Sequence, residues 1–176
     1  SAMSFYYDGQ RIEADGLVIL IRRQSYMPGR IVAQPRLPES PVEVGVDIDI
    51  DSPDTQYAIA GIVSNIARSV APAILLPRAR ELASQLGLHV SEWRISNGRR
   101  ILGRCTSRGV ISLSCLIVFM PQELRDYIIW HELAHLTEMN HGPRFHALCN
   151  AYCGGREADM IASLRNVRWP LPPRRR

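Results

Sequence analysis

The chain has 176 residues, of which 46% are apolar and 22% charged; this suffices for a buried core and argues against global disorder. Its formal charge of +4 rests on arginine alone, because the sequence contains no lysine, which excludes Schiff-base chemistry and a Walker-type phosphate lysine. The longest apolar candidates, Leu17 to Ile21 and Ile111 to Met120, are strand-sized, well short of the roughly 20 residues a spanning helix needs, so no membrane segment is expected.

Ser1-Ala2 ahead of Met3 reads as an expression remnant, and no signal-peptide pattern opens the chain. The first fifty residues read as strands and tight turns. Tyr6-Tyr7-Asp8-Gly9 is a hairpin signal, and Gly16 to Arg23, Met27-Pro28-Gly29-Arg30 and Ile31-Val32 suggest a second hairpin. Pro35, Pro38 and Pro41 mark a loop. From Val42 to Ile50 the residues alternate, with Val42, Val44, Val46, Ile48 and Ile50 on one face, which predicts a half-buried strand. Asp47 and Asp49 fall on its solvent face and Asp54 caps the next helix, so this acidic run does not make a calcium loop.

Ile59, Ile62, Val63, Ile66 and Val70 form a helical stripe over Thr55 to Val70. After Pro72 a second helix carries Ala79, Leu82, Ala83 and Leu86 and stops at Gly87. Strands return from Val90 to Ser96, with Asn97-Gly98 as a two-residue turn, then from Arg99 to Cys105 and from Gly109 to Phe119 around Ser107-Arg108-Gly109. Pro121 suits the first position of the next helix. Further helices are expected from Pro143 to about Cys153 and from Arg156 to Asn166, and the tail from Trp169 is expected to fray.

The helix after Pro121 carries His131-Glu132-Leu133-Ala134-His135, with His141 six residues on. Residues four apart share a helix face about 6 Å apart, so the imidazoles of His131 and His135 can converge on one cation. Glu132 lies about 100° around the helix, off the metal but within reach of a water bound to it, the place of a general base. Catalytic zinc takes three protein ligands and a water, and His141 is the best third ligand. Glu138 competes for that role, yet on a continuous helix it sits about 10 Å along the axis from His131. Asn140 and Gly142 tolerate left-handed backbone and Pro143 opposes continuation, so the helix should end near Met139 and bring His141 back. Nickel or iron could also occupy three histidines. Cys105, Cys115, Cys149 and Cys153 fit no zinc-ribbon spacing and read as free thiols, which suits a cytoplasmic location.

Asp126-Tyr127-Ile128-Ile129-Trp130-His131-Glu132-Leu133-Ala134-His135 and Asn140-His141-Gly142-Pro143-Arg144-Phe145, together with a Gly-x-Cys hairpin and a helix ending in Leu-Gly-Leu, resemble the YgjP-like metal-dependent hydrolases, minimal zincins related to SprT-like and WLM proteases. The resemblance runs most closely from about Gly103 to His146. It implies an α+β, zincin-like fold: a β-rich N-terminal segment over 1–53, a metallohydrolase core over 54–168 with a small antiparallel sheet on helices including the HExxH helix, and a Pro/Arg-rich tail over 169–176. It also implies zinc on His131, His135 and His141 with Glu132 as the catalytic carboxylate. The hairpin reads Leu102-Gly103-Arg104-Cys105 where such families usually read Trp-Gly-Ser-Cys.

The expected activity is that of a zinc metallopeptidase acting on a peptide or protein, with a peptide strand laid beside Gly109 to Phe119. Arg144 and His146 are candidates for steadying the oxyanion. Two rivals stand beside it. One is a hydrolase of nucleotide phosphoanhydrides or other small substrates; the other is a nucleic-acid-associated module with a structural metal, its arginines meeting phosphate.

Overall fold

The computed structural model of the chain describes residues 4–24, 30–34 and 42–174, without the side chains of Val32 and Gln34. The predicted turn at Met27-Pro28-Gly29 and the loop at Pro35, Pro38 and Pro41 lie outside the described residues. The fold is α+β, as expected, with small sheets and helices. It divides into two compact units, Ser1–Ala67 with Trp169–Arg176, and Arg68–Arg168.

In the first unit, β1 (Arg11–Ala14), β2 (Leu17–Arg23), β3 (Ile31–Gln34) and β4 (Val42–Val46) form a sheet in the order β1-β2-β4-β3. The expected hairpin of β2 with Ile31-Val32 does not form. β4 lies between them, parallel to β2 and antiparallel to β3. Ile12, Ile19, Ile21, Val44 and Val46 are buried from this sheet. β4 also stops earlier than its alternation suggests, and Ile48 is exposed while Ile50 is buried. There the Asp49 side chain accepts from the Asp51 backbone N–H at 3.0 Å, a local turn that competes with the strand. The tail from Trp169 to Arg174 does not fray. The Tyr6 hydroxyl donates to the Pro170 carbonyl at 2.6 Å and that of Tyr57 to the Pro173 carbonyl at 3.3 Å, and Leu171 is buried.

A single helix, α1 (Pro53–Gln85), replaces the two predicted, with Pro72 and Pro77 inside it. Each proline removes one backbone bond at a cost of about 3 kcal/mol. The buried stripe of Ile59, Val63, Ala67, Ala71, Leu75, Ala79 and Leu82 nevertheless continues through both at helical spacing, and burial of that face offsets the loss. Gly87, at φ +66°, closes the following turn, with Leu88 N–H donating to the Ala83 carbonyl. As one element, α1 is long and apolar enough to cross a membrane by length and composition, with 33% of its most apolar window buried. A sequence reading split at Pro72 misses this, and core helices pass the same test.

The second unit contains β5 (Glu92–Ser96), β6 (Gly103–Cys105), β7 (Val110–Ser114), α2 (Gln122–Ala134), α3 (Pro143–Tyr152) and α4 (Glu157–Arg165). Its sheet runs β5-β7-β6, with β5 parallel and β6 antiparallel to β7. Asn97-Gly98 therefore does not turn a hairpin, whereas Ser107-Arg108-Gly109 does, with Gly109 at φ +80°. Beyond β7 the predicted strand becomes a 3-10 helix, Cys115–Phe119. Buried Arg125 on α2 explains the change: its guanidinium donates to the Ile117 and Val118 carbonyls, which a strand would direct to a neighbour. α2 packs on β6, β7, α3 and α4. Arg78 of α1 holds Asp126 of α2 through two bonds of 3.0 and 2.8 Å, and this raises the Arg78 pKa above its ordinary value.

Candidate metal centre

α2 ends at Ala134 with His135 as its cap residue, one turn before the predicted end near Met139. The chain then tightens, with Leu136 and Thr137 N–H bonding three residues back to Leu133 and Ala134. Gly142 is extended at φ −87°, so the reversal there needs no left-handed glycine. The early stop brings the Glu138 carbonyl to His135 Nδ1, which donates to it at 3.0 Å. That bond fixes the tautomer and leaves Nε2 of His135 as the free lone pair.

His131, His135 and His141 converge, each offering one ring nitrogen within 4.8 Å of the others. His135 Nε2 and His141 Nε2 are 3.0 Å apart. A tetrahedral ion at about 2.0–2.1 Å from each nitrogen needs them roughly 3.3 Å apart, a separation that these distances bracket. The donor set and the tautomer therefore fit a small divalent cation. The Glu138 side chain takes no part in the cluster. Partial withdrawal of the His141 ring from water, followed by the neighbouring rings of His135 and His131, holds its pKa below the ordinary 6.5, favouring the neutral form that a metal needs.

Phe145, fully buried on α3, carries all three rings. Its ring centroid lies 4.8 Å from that of His131, 4.3 Å from that of His135 and 4.9 Å from that of His141. The spacing of the histidines gives no hint of this platform; the only sequence signal is the Arg144-Phe145 pair beside the third histidine.

Glu132 is 4% exposed, and its Oε2 accepts from His131 Nδ1 at 3.2 Å. Gly103 of β6 lies directly over it. A Cβ at Gly103 would stand 2.6 Å from that oxygen, so the hairpin glycine makes room for the carboxylate. Gly103, Arg104, Cys105, Glu132 and the three histidines line a cavity of about 310 Å³ together with Met139. Burial, with the Glu132 charge adding to it, pushes the Cys105 thiol up to about 11.

Arg144 is exposed on the first turn of α3, and neither it nor His146 lines this cavity. His146 Nδ1 donates to Glu157 Oε1 at 3.1 Å and the Tyr127 hydroxyl donates to Oε2 at 3.1 Å. Burial, then the Glu157 carboxylate, raises the Tyr127 phenol. All four cysteines are free, with Cys115, Cys149 and Cys153 buried.

β7 is bonded on both sides, so it cannot take the peptide strand expected there. The open edge beside the cavity belongs to β6. The Leu102 carbonyl accepts from Ser114 N–H and Thr106 N–H donates to the Val110 carbonyl, each at 2.9 Å. Even-numbered residues thus bond to β7, and Gly103 and Cys105 present their backbone groups outward.

Residues 30–160 match the family model described as YgjP-like, metallopeptidase domain. Among curated proteins none matches the chain. A solved structure, the crystal structure of the metallopeptidase zymogen of Pyrococcus abyssi abylysin, is similar over 52% of this chain and 96% of its own, at 21% identity and a TM-score of 0.42.

Proposed function

The chain belongs to the YgjP-like metallopeptidase family, and from that premise we propose that it hydrolyses peptide bonds with zinc held by His131, His135 and His141 and with Glu132 as general base. The observation that carries this reading is the convergence of three imidazole nitrogens within 4.8 Å beside a buried carboxylate in one cavity.

Zinc, when bound, lowers the pKa of its water toward about 7 and polarises the scissile carbonyl. Glu132 accepts a proton from the attacking water and hands it to the leaving amine, so that water and amide become acid and amine. Gly103 leaves room for Glu132, and Phe145 keeps the three rings facing one point. The peptide lies extended along β6, bonded to the backbone of Gly103 and Cys105. Four free thiols suit a reducing, cytoplasmic setting.

Metal analysis of the wild type and His141→Ala, with peptide and nucleotide turnover for the wild type and Glu132→Ala, tests the reading. One zinc per wild-type chain, its loss in His141→Ala, and peptide cleavage abolished in a metal-bound Glu132→Ala protein are expected. Cleavage that survives in Glu132→Ala, or turnover of nucleotides alone, would overturn it.

A further inference from the structure

The outer face of the second sheet carries a row of three residues. Arg94 of β5 and Arg104 of β6 both pair with Ser112 of β7, so the three side chains project from one face. The opposite face holds Trp93, Ile95, Ile111 and Leu113, with Ile111 and Leu113 fully buried. The two arginines differ in one respect. Arg94 is held by Glu92 of its own strand through bonds of 2.9 and 2.8 Å, whereas exposed Arg104 has no hydrogen-bond or ion-pair partner among the described residues.

Arg104 also stands at the reacting edge. It lines the cavity of Glu132 and the three histidines, between the two residues whose backbone groups face outward. An antiparallel strand bonded to Gly103 and Cys105 puts one of its residues directly across from Arg104 in a non-hydrogen-bonded pair, with Cβ atoms about 4.5–5.5 Å apart on the outer face. Opposite charges attract at that distance and like charges repel. We infer that Arg104 makes this enzyme select acidic peptides, with Asp or Glu at the substrate position that pairs with it across the β6 edge. The inference rests on the peptidase reading above and adds the substrate class.

The magnitude is modest, because the pair is exposed. Cross-strand charge pairs give a preference of about twofold to fivefold for Asp over Ala, and about tenfold for Asp over Lys when repulsion is included. It should shrink with added salt.

The test measures kcat/KM of the zinc-loaded full chain on peptides identical except for Asp, Ala or Lys, moved one position at a time on each side of the scissile bond. One position should favour Asp over Lys by about tenfold. Arg104→Ala should level that position and Arg104→Glu should reverse it toward Lys, with circular dichroism verifying the fold of both. Cleavage without any charge preference, or an Asp preference unchanged in Arg104→Glu, overturns the inference and leaves the peptidase reading standing. Absence of cleavage of every peptide refutes that reading and this one with it. Inhibition by single-stranded DNA that vanishes in Arg104→Ala, with no charge preference among peptides, assigns the arginine to phosphate and likewise overturns the inference.

Discussion

Replacing Gly103 with alanine puts the general-base assignment to its sharpest test, because the perturbation adds one methyl group aimed at Glu132 and replaces none of the three histidines. The added Cβ would lie 2.6 Å from Glu132 Oε2, 2.8 Å from its Cγ and 2.9 Å from its Cδ. Ordinary contact begins at 3.4 Å, so the carboxylate must retreat by about 0.8 Å to reach it. Gly103 is not in the left-handed region, so the backbone accepts alanine and the cost lies in the contact alone. A misplacement near 1 Å costs about a hundredfold in rate, or ~2.7 kcal/mol of barrier, and overpacking costs about 1–3 kcal/mol of stability. The expected result is a kcat about a hundredfold below wild type on a peptide, with one zinc per chain by elemental analysis, measured below the unfolding transition. A kcat within threefold of wild type would show that the carboxylate does not work from its place under Gly103. Loss of zinc would show that the contact acts through the histidines, and would refute the reasoning equally.

Three further outcomes rest on the same geometry. Glu132→Gln should lower kcat by about 10²–10⁴ while native mass spectrometry still finds the metal. In metal-free protein the depressed His141 pKa makes the unfolded chain bind more protons below pH 6.5, so stability should fall as the pH drops through that window; urea titrations between pH 7.5 and 5 should show it, with a shallower fall in His141→Ala. Cys105, pushed up to about 11 from 9.0, should carry about a hundredfold less thiolate at pH 8 than an unperturbed thiol, so iodoacetamide should modify it slowly, and faster in Glu132→Gln, which removes the neighbouring charge.

The sequence shows the histidine cluster because its geometry is almost local. His131 and His135 are related by one helical turn, and His141 needs only a reversal within six residues. The surrounding architecture is less legible wherever a distant group overrides a local signal. Pro72 marks a helix boundary by every local rule, yet the apolar stripe from Ile59 to Leu82 buries more by continuing. The run from Cys115 to Phe119 reads as strand until the Arg125 guanidinium, folded back from α2, takes its carbonyls. Asn97-Gly98 has hairpin chemistry, but the strand that pairs with β5 arrives later and in parallel. The tail looks free because the aromatic hydroxyls that hold it lie more than a hundred residues away in sequence.

Ligand spacing and working site are therefore specified at different ranges. Three histidines and a glutamate at these offsets bring four side chains to one end of a helix, but nothing in the motif keeps Glu132 from leaning elsewhere or the rings from turning to solvent. Those restraints come from β6 and α3. Gly103 leaves a gap on one side of the carboxylate that only a residue without Cβ can leave, and Phe145 backs all three imidazoles from the other. A chain with the same histidines but a side chain at position 103 would keep its metal donors and crowd its base. Turnover should accordingly track the residue at position 103 more closely than metal affinity does, and metal affinity should track Phe145: Phe145→Leu should weaken zinc binding in a chelator competition even where every ligand is retained.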